Sequence, residues 1–160
     1  MYIPFDELPP QARIWIYQAS RPLTAAEQAE IKPLLQAFAT DWSSHGTNLQ
    51  ASAELLHDRF LVLANNEDAT AASGCSIDKS ANFVRELEQR FNVSFFDRTQ
   101  LAFLKEEQVE LVSMSQLKDK VAAGDITRDT LYFDTLVNNY GDLQTNWPKQ
   151  AQHSWLSRYF

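Results

Sequence analysis

Cysteine, glycine and positive charge are all scarce in this 160-residue chain. One cysteine excludes an internal disulfide, and one cysteine with three histidines cannot build a cysteine-rich zinc site. The histidines, His45, His57 and His153, lie far apart with no aligned carboxylate, which makes a poor metal case. With four glycines, the chain holds no Gly-x-x-x-x-Gly-Lys-Ser/Thr loop to wrap phosphates and no Gly-x-Gly-x-x-Gly for a dinucleotide. Gly-x-Ser-x-Gly and His-Glu-x-x-His are missing too. Lys and Arg number 14 against 21 Asp and Glu, a net charge of −7. That balance opposes a binder that tracks nucleic-acid phosphates with clustered cations. No run approaches the roughly 18 apolar residues of a membrane span. The first ten residues carry no Lys or Arg and no long apolar core, so no secretory signal is expected. The C-terminal Ser157–Phe160 matches no lipidation signal. The expectation is a cytoplasmic protein with no membrane, nucleic-acid, metal or cofactor partner.

Hydrophobic residues make up 44% and charged residues 22% of the chain, a composition that folds as a globular domain. Residues 1–11, with three prolines, read as an irregular arm. From Ala12 to Gln18 residues alternate, with Ile14 and Ile16 on one side and Arg13, Trp15 and Tyr17 on the other, which predicts a strand. Thr24 precedes Glu27 at the capping-box spacing, and Ile31, Leu34, Leu35, Phe38 and Trp42 then recur at helical steps. Pro33 is expected to kink that helix or reset its start. A strand alternating through Leu49, Ala51, Ala53 and Leu55 turns at His57-Asp58 into Arg59–Ala64, apolar on both sides and therefore central. Ile77, Ala81, Val84, Leu87 and Phe91 predict a second helix stopping near Asn92. Val93–Phe96 reads as a short strand. Leu101–Leu104 and Val109–Val112 read as a hairpin around Lys105–Gln108, Ser115–Ala123 as a short helix ended by Gly124, and Leu131–Val137 as a last strand. The aromatic tail, with Trp147, Trp155, Tyr159 and Phe160, is expected to dock on the body.

The order through Leu104 is β-α-β-β-α-β. It predicts an α+β fold with a ferredoxin-like (split βαβ) core over 12–104: four antiparallel strands with two helices on one face. Residues 105–160 form an extension of a single domain. In that arrangement Arg13, Trp15 and Tyr17 share a face with Gln50, Ser52 and Glu54. The face is either open to a partner or covered by the extension, and covering is the simpler expectation.

Ser73-Gly74-Cys75-Ser76-Ile77-Asp78-Lys79-Ser80 places a glycine, a thiol and hydroxyls at a loop-to-helix junction. The free N–H groups and partial positive charge of a helix start can hold a phosphate or carboxylate, and the same field activates a thiol. The bland alternative is a serine cap beside a small packed cysteine. His45, in a loop beside Gly46, is the candidate base toward Cys75. Arg98, at a predicted strand end, is the candidate bidentate partner of an anion.

Arg13–Gln18, Ser44-His45-Gly46, Arg59–Ala64, Ser73–Ser80 and Phe95-Phe96-Asp97-Arg98-Thr99, with the Trp147 and Trp155 region, resemble a family of small uncharacterised bacterial proteins. Some members carry the label "ABC transporter ATPase", whose Walker A loop, Walker B acid and Gly-rich signature are missing here. The resemblance implies a soluble bacterial single-domain protein and brings no catalytic or cofactor residues.

The sequence thus points to a binding or interaction domain. Its expected ligand site is Ser73, Gly74, Ser76, Asp78, Lys79 and Arg98, and its expected partner is a small anion or a protein. One alternative is a thiol enzyme using Cys75 and His45. The other is a structural protein, with a homo-oligomer possible.

Overall fold

A computed structural model describes all residues, Met1–Phe160. Strand β1 (Arg13–Gln18) leads into helix α1 (Ala25–Asp41). A small hairpin, β2 (Ser43–Ser44) and β3 (Thr47–Asn48), precedes the hairpin of β4 (Ala51–Leu56) and β5 (Phe60–Asn65). Helix α2 (Gly74–Phe91) follows. Then come β6 (Gln100–Lys105), β7 (Gln108–Ser113), α3 (Leu117–Ala122), β8 (Leu131–Tyr132), α4 (Tyr140–Thr145) and β9 (Lys149–Gln150). The strands form antiparallel sheets, the first in order β1-β5-β4 and the second in order β7-β6-β8-β9. The α+β class is as expected.

β5 is buried along its whole length, as its two-sided apolar sequence requires. One face, with Trp15, Leu61, Leu63, Ala53 and Leu55, packs under α1 and α2. The other, with Ile14, Val62 and Ala64, packs against Leu8, Val137, Tyr140 and Leu143. The sequence reading placed Trp15 and Tyr17 beside Ser52 and Glu54. Cross-strand register puts Trp15 opposite Leu63 and Tyr17 opposite Leu61, whereas Ser52 pairs with Ala64 and Glu54 with Val62. The two aromatics therefore lie on the helix side. The opposite face is covered by the C-terminal extension.

The strand order β1-β5-β4 is that of the first three strands of a split βαβ unit, in which a fourth would lie beside β1. No strand lies there. Val93–Phe96 exchanges only Ser20 N–H to Ser94 O (2.8 Å) and Ser94 N–H to Ser20 Oγ (3.0 Å) with the end of β1. Phe95 is buried in the main core. An Asp97–Thr99 turn, closed by Thr99 N–H to Asp97 Oδ1 (2.9 Å), sends the chain into the second sheet. The expected last strand is also shorter: only Leu131–Tyr132 pairs.

α1 runs continuously from Ala25 to Asp41 with Pro33 inside it, so the proline does not reset the helix start. Its capping box is formed: Glu27 N–H donates to Thr24 Oγ1 (3.1 Å), and Thr24 N–H to Glu27 Oε1 (2.9 Å). Arg21 grips both Glu27 oxygens at 2.8 Å and donates to Phe91 O at 2.8 Å. One guanidinium thus ties the start of α1 to the end of α2, where backbone carbonyls lack helical partners. On α2 the buried face includes Ser76 and Ser80 as well as Val84, Leu87 and Phe91, one position off the Ile77 and Ala81 stripe. Small hydroxyls tolerate that face because each donates to its own helix backbone, Ser76 Oγ to Ser73 O (2.8 Å) and Ser80 Oγ to Ile77 O (2.6 Å). Their size lets Trp42 come close enough to donate its indole N–H to Ser76 O (2.8 Å).

The Arg21 contact and the Thr24 backbone bond hold the Glu27 carboxyl down to about 2 from its ordinary 4.5. Its stabilisation is therefore complete above pH 4.5 and is lost as pH falls toward 2. Urea midpoints measured from pH 7 to pH 2 should fall on this limb, and Glu27→Gln should flatten the fall while lowering the midpoint at pH 7.

Candidate functional site

The vacant strand position beside β1 is a groove. Asn138 and Asn139 close one end: Ile14 N–H donates to Asn138 O (3.0 Å), and Arg13 bridges to Asn139. Ser94 closes the other end through Ser20. Backbone groups in an antiparallel pair point alternately toward and away from the partner strand. Ile16 and Gln18 therefore aim their N–H and C=O the way Ile14 does, away from β5, and β1 has no second strand to receive them. Two recesses of about 510 Å³ and about 130 Å³ flank this edge and share Ile16, Tyr17, Arg98, Thr135 and Leu136.

The walls come from different parts of the chain. On the helix side stand Tyr17 and Phe96, in edge-to-face contact at 5.4 Å between ring centres. On the other side stand Leu101, Tyr132 and Trp155, with Trp155 donating to the Tyr132 hydroxyl (3.2 Å). Gln18 Nε2 spans to Gln100 O (3.0 Å) across the narrow end. The outer lip is Thr135–Asn139. Asp134 secures it: the buried carboxylate accepts from Leu136 N–H (3.0 Å) and pairs with the mostly buried Lys149 at 3.3 Å. The Asp134 carbonyl also accepts the Trp147 indole N–H (3.1 Å). This anchor holds Leu136 outward, 58% exposed, one of two large hydrophobic residues so placed.

Arg98 lines both recesses and forms no ion pair, while the neighbouring carboxylate, Asp97, is occupied by Thr99. Burial raises the Tyr17 phenol above its ordinary value of 10.0, opposed by the Ser80 hydroxyl and by the charges of Arg98 and Arg85. The Tyr132 phenol is raised further, by burial and by the charge of Asp134. Both phenols stay protonated at neutral pH. The groove thus offers an unpaired cation, free strand-edge amides and apolar walls. Nothing in it is a nucleophile paired with a base. No group of three or more His, Cys, Asp or Glu side chains is placed to hold a metal ion.

Of the expected ligand and thiol-site residues, Arg98 lies in this groove, whereas Ser73, Gly74, Cys75, Ser76, Asp78, Lys79 and His45 do not. Ser73 caps α2 in a reciprocal box with Ser76: Ser76 N–H donates to Ser73 Oγ (3.2 Å), and Ser73 N–H to Ser76 Oγ (2.7 Å). Gly74, Cys75, Asp78 and Lys79 are exposed on the first turns. His45 sits at the tip of the β2–β3 hairpin with φ 50°, beside Gly46 at φ 79°. It is exposed, and no hydrogen bond joins it to Cys75. Lys79 lines a separate shallow recess with Phe38, Trp42 and Phe83. Tyr17 was singled out from sequence as part of an aromatic strand face. Gln18, Tyr132, Thr135 and Leu136 were not singled out. Nothing in their spacing marks them, because they come from segments distant in the chain that meet only beside the edge strand β1.

Two outcomes check this arrangement. Lys149→Met removes the partner of a buried carboxylate, and losses of that kind cost about 3–5 kcal/mol. The urea midpoint should fall accordingly, whereas Lys149→Met together with Asp134→Leu should recover most of the loss. Cys75, being exposed, should take up one equivalent of a maleimide in the absence of denaturant, and mass spectrometry would read it.

A scan of protein-family models and searches of curated proteins and of solved structures find no match to this chain.

Proposed function

We propose that this protein is a binding module that receives an extended, acidic segment of a partner protein in the groove along β1. The β1-β5-β4 unit is read here as a ferredoxin-like sheet lacking its last strand, so that the ligand takes the missing strand's place. The carrying observation is the coincidence, in one groove, of an unpaired strand edge at Ile16 and Gln18 with the unpaired guanidinium of Arg98. An added strand gains affinity from main-chain hydrogen bonds and specificity from side-chain pockets. Its amides would meet Ile16 and Gln18. An acidic side chain or terminal carboxylate would meet Arg98, whose planar fork suits a carboxylate. Leu136 and the Tyr17–Phe96 pair offer apolar contact on either side. A cation at this position in a chain of net charge −7 also favours acidic over basic segments locally.

The test is an amide NMR titration with the capped tripeptide acetyl-Val-Glu-Val-amide and its Val-Lys-Val counterpart. The acidic peptide should shift the amides of Ile16 and Gln18 saturably, and Arg98→Ala should weaken it about tenfold, the value of one charge-assisted hydrogen bond. Equal shifts with the basic peptide, or no shift along β1, would refute the reading.

A further inference from the structure

The deepest unpaired charge in the molecule lies elsewhere. Arg59 follows the His57-Asp58 turn, and only 6% of its surface is exposed. Its guanidinium donates one hydrogen bond, from Nη1 to Ala19 O at 3.2 Å, and no carboxylate lies within ion-pair reach. Burial pushes its pKa down from the ordinary value, as expected of a cation whose solvation has been replaced by a single carbonyl. Nε and Nη2 donate to no protein group. They are not sealed in either, since the only buried side-chain polar atoms without partners are Ser52 Oγ and Asn65 Oδ1. Arg59 lines a recess of about 380 Å³, onto which these free donors can open.

That recess forms where two hairpin tips meet the chain after β1. Asp58 and Glu107 sit on those tips with φ 58° and 65°, both exposed, and both line the same space as Arg59. Neither carboxylate accepts a hydrogen bond or forms an ion pair. The recess is thus lined by a buried cation and two exposed, unpaired anions, together with Pro22, Leu104 and Val109. A simple anion would meet Arg59 but be repelled by Asp58 and Glu107, and a simple cation would suffer the reverse. A ligand carrying both charges a few ångströms apart satisfies each.

We infer that this recess binds a small zwitterion of the α-amino acid type, its carboxylate on the free Arg59 donors, its ammonium toward Asp58 and Glu107, and an aliphatic side chain against Pro22, Leu104 and Val109. The argument uses no residue of the β1 groove, so the two proposals stand or fall separately.

The experiment titrates the protein with L-valine, acetate and propylammonium at constant ionic strength and follows the backbone amides of His57–Arg59 and the arginine Nε–H signals. Valine should give saturable shifts there, with acetate and propylammonium at least tenfold weaker. Glu107→Gln and Asp58→Asn, both on exposed hairpin tips, should each weaken valine severalfold and leave acetate equal or stronger. Arg59→Lys, which keeps the charge but loses the fork, should weaken valine more than either. Acetate binding as well as valine would overturn the inference, as would the absence of any saturable shift. So would a large loss of stability in Glu107→Gln with no change in valine response, because Glu107 would then be the internal partner of Arg59.

Discussion

The structure depends on one strand with no polar face. β5 is buried from Phe60 to Asn65, so it needs apolar cover on both sides. The helices cover one side and the C-terminal extension the other. Phe60 shows the second cover most directly. It packs against Phe133 and Trp147 with ring centres 4.9 Å apart in each case, and both partners come from the last thirty residues. The extension is therefore part of the core, and the hydrophobic effect that drives β5 inward also fixes where the tail must lie.

The groove follows from how that cover is arranged. β5 takes β1 on one side and β4 on the other, which leaves β1 as an edge. The Val93–Phe96 segment places Phe95 in the core, and the Asp97–Thr99 turn aims the chain at the second sheet. The tail then crosses back, and Asp134, held by Lys149, sets its lip opposite β1. An exposed strand edge is a hazard for uncontrolled pairing. Here it is recessed between walls and bounded at its ends by Asn138 and Ser94.

Charge is distributed to the same effect. Most acids of this acidic chain lie on its outside, while two of the arginines that have no acidic partner line recesses. Arg98 stands at the groove and Arg59 at a separate recess. Arg21 shows the contrast, since its fork is filled by Glu27 and by the end of α2. An arginine whose donors are used inside the fold serves stability, and one whose donors open onto a cavity remains free to serve recognition.

Local chemistry was legible in the sequence wherever it was self-contained. The Thr24–Glu27 box, the His57-Asp58 turn, the hairpin around Glu106 and Glu107, the Asn92 stop with φ 50° and the central burial of Arg59–Ala64 all rest on residues within a few positions of one another. The docked tail followed from its aromatic content. The serine cap at the α2 start is the bland alternative that the sequence offers beside a ligand site, and its spacing says nothing of whether the surroundings form a cavity. Which side of the sheet Trp15 and Tyr17 would take was misread, because pleat alternation fixes two faces without saying which one the helices cover. That Val93–Phe96 would leave β1 unpaired, and that Arg59 would lose its solvent without gaining a carboxylate, were decided by tertiary packing alone. A strand's second neighbour and a charge's partner are supplied by segments distant in the chain, and no local propensity encodes them.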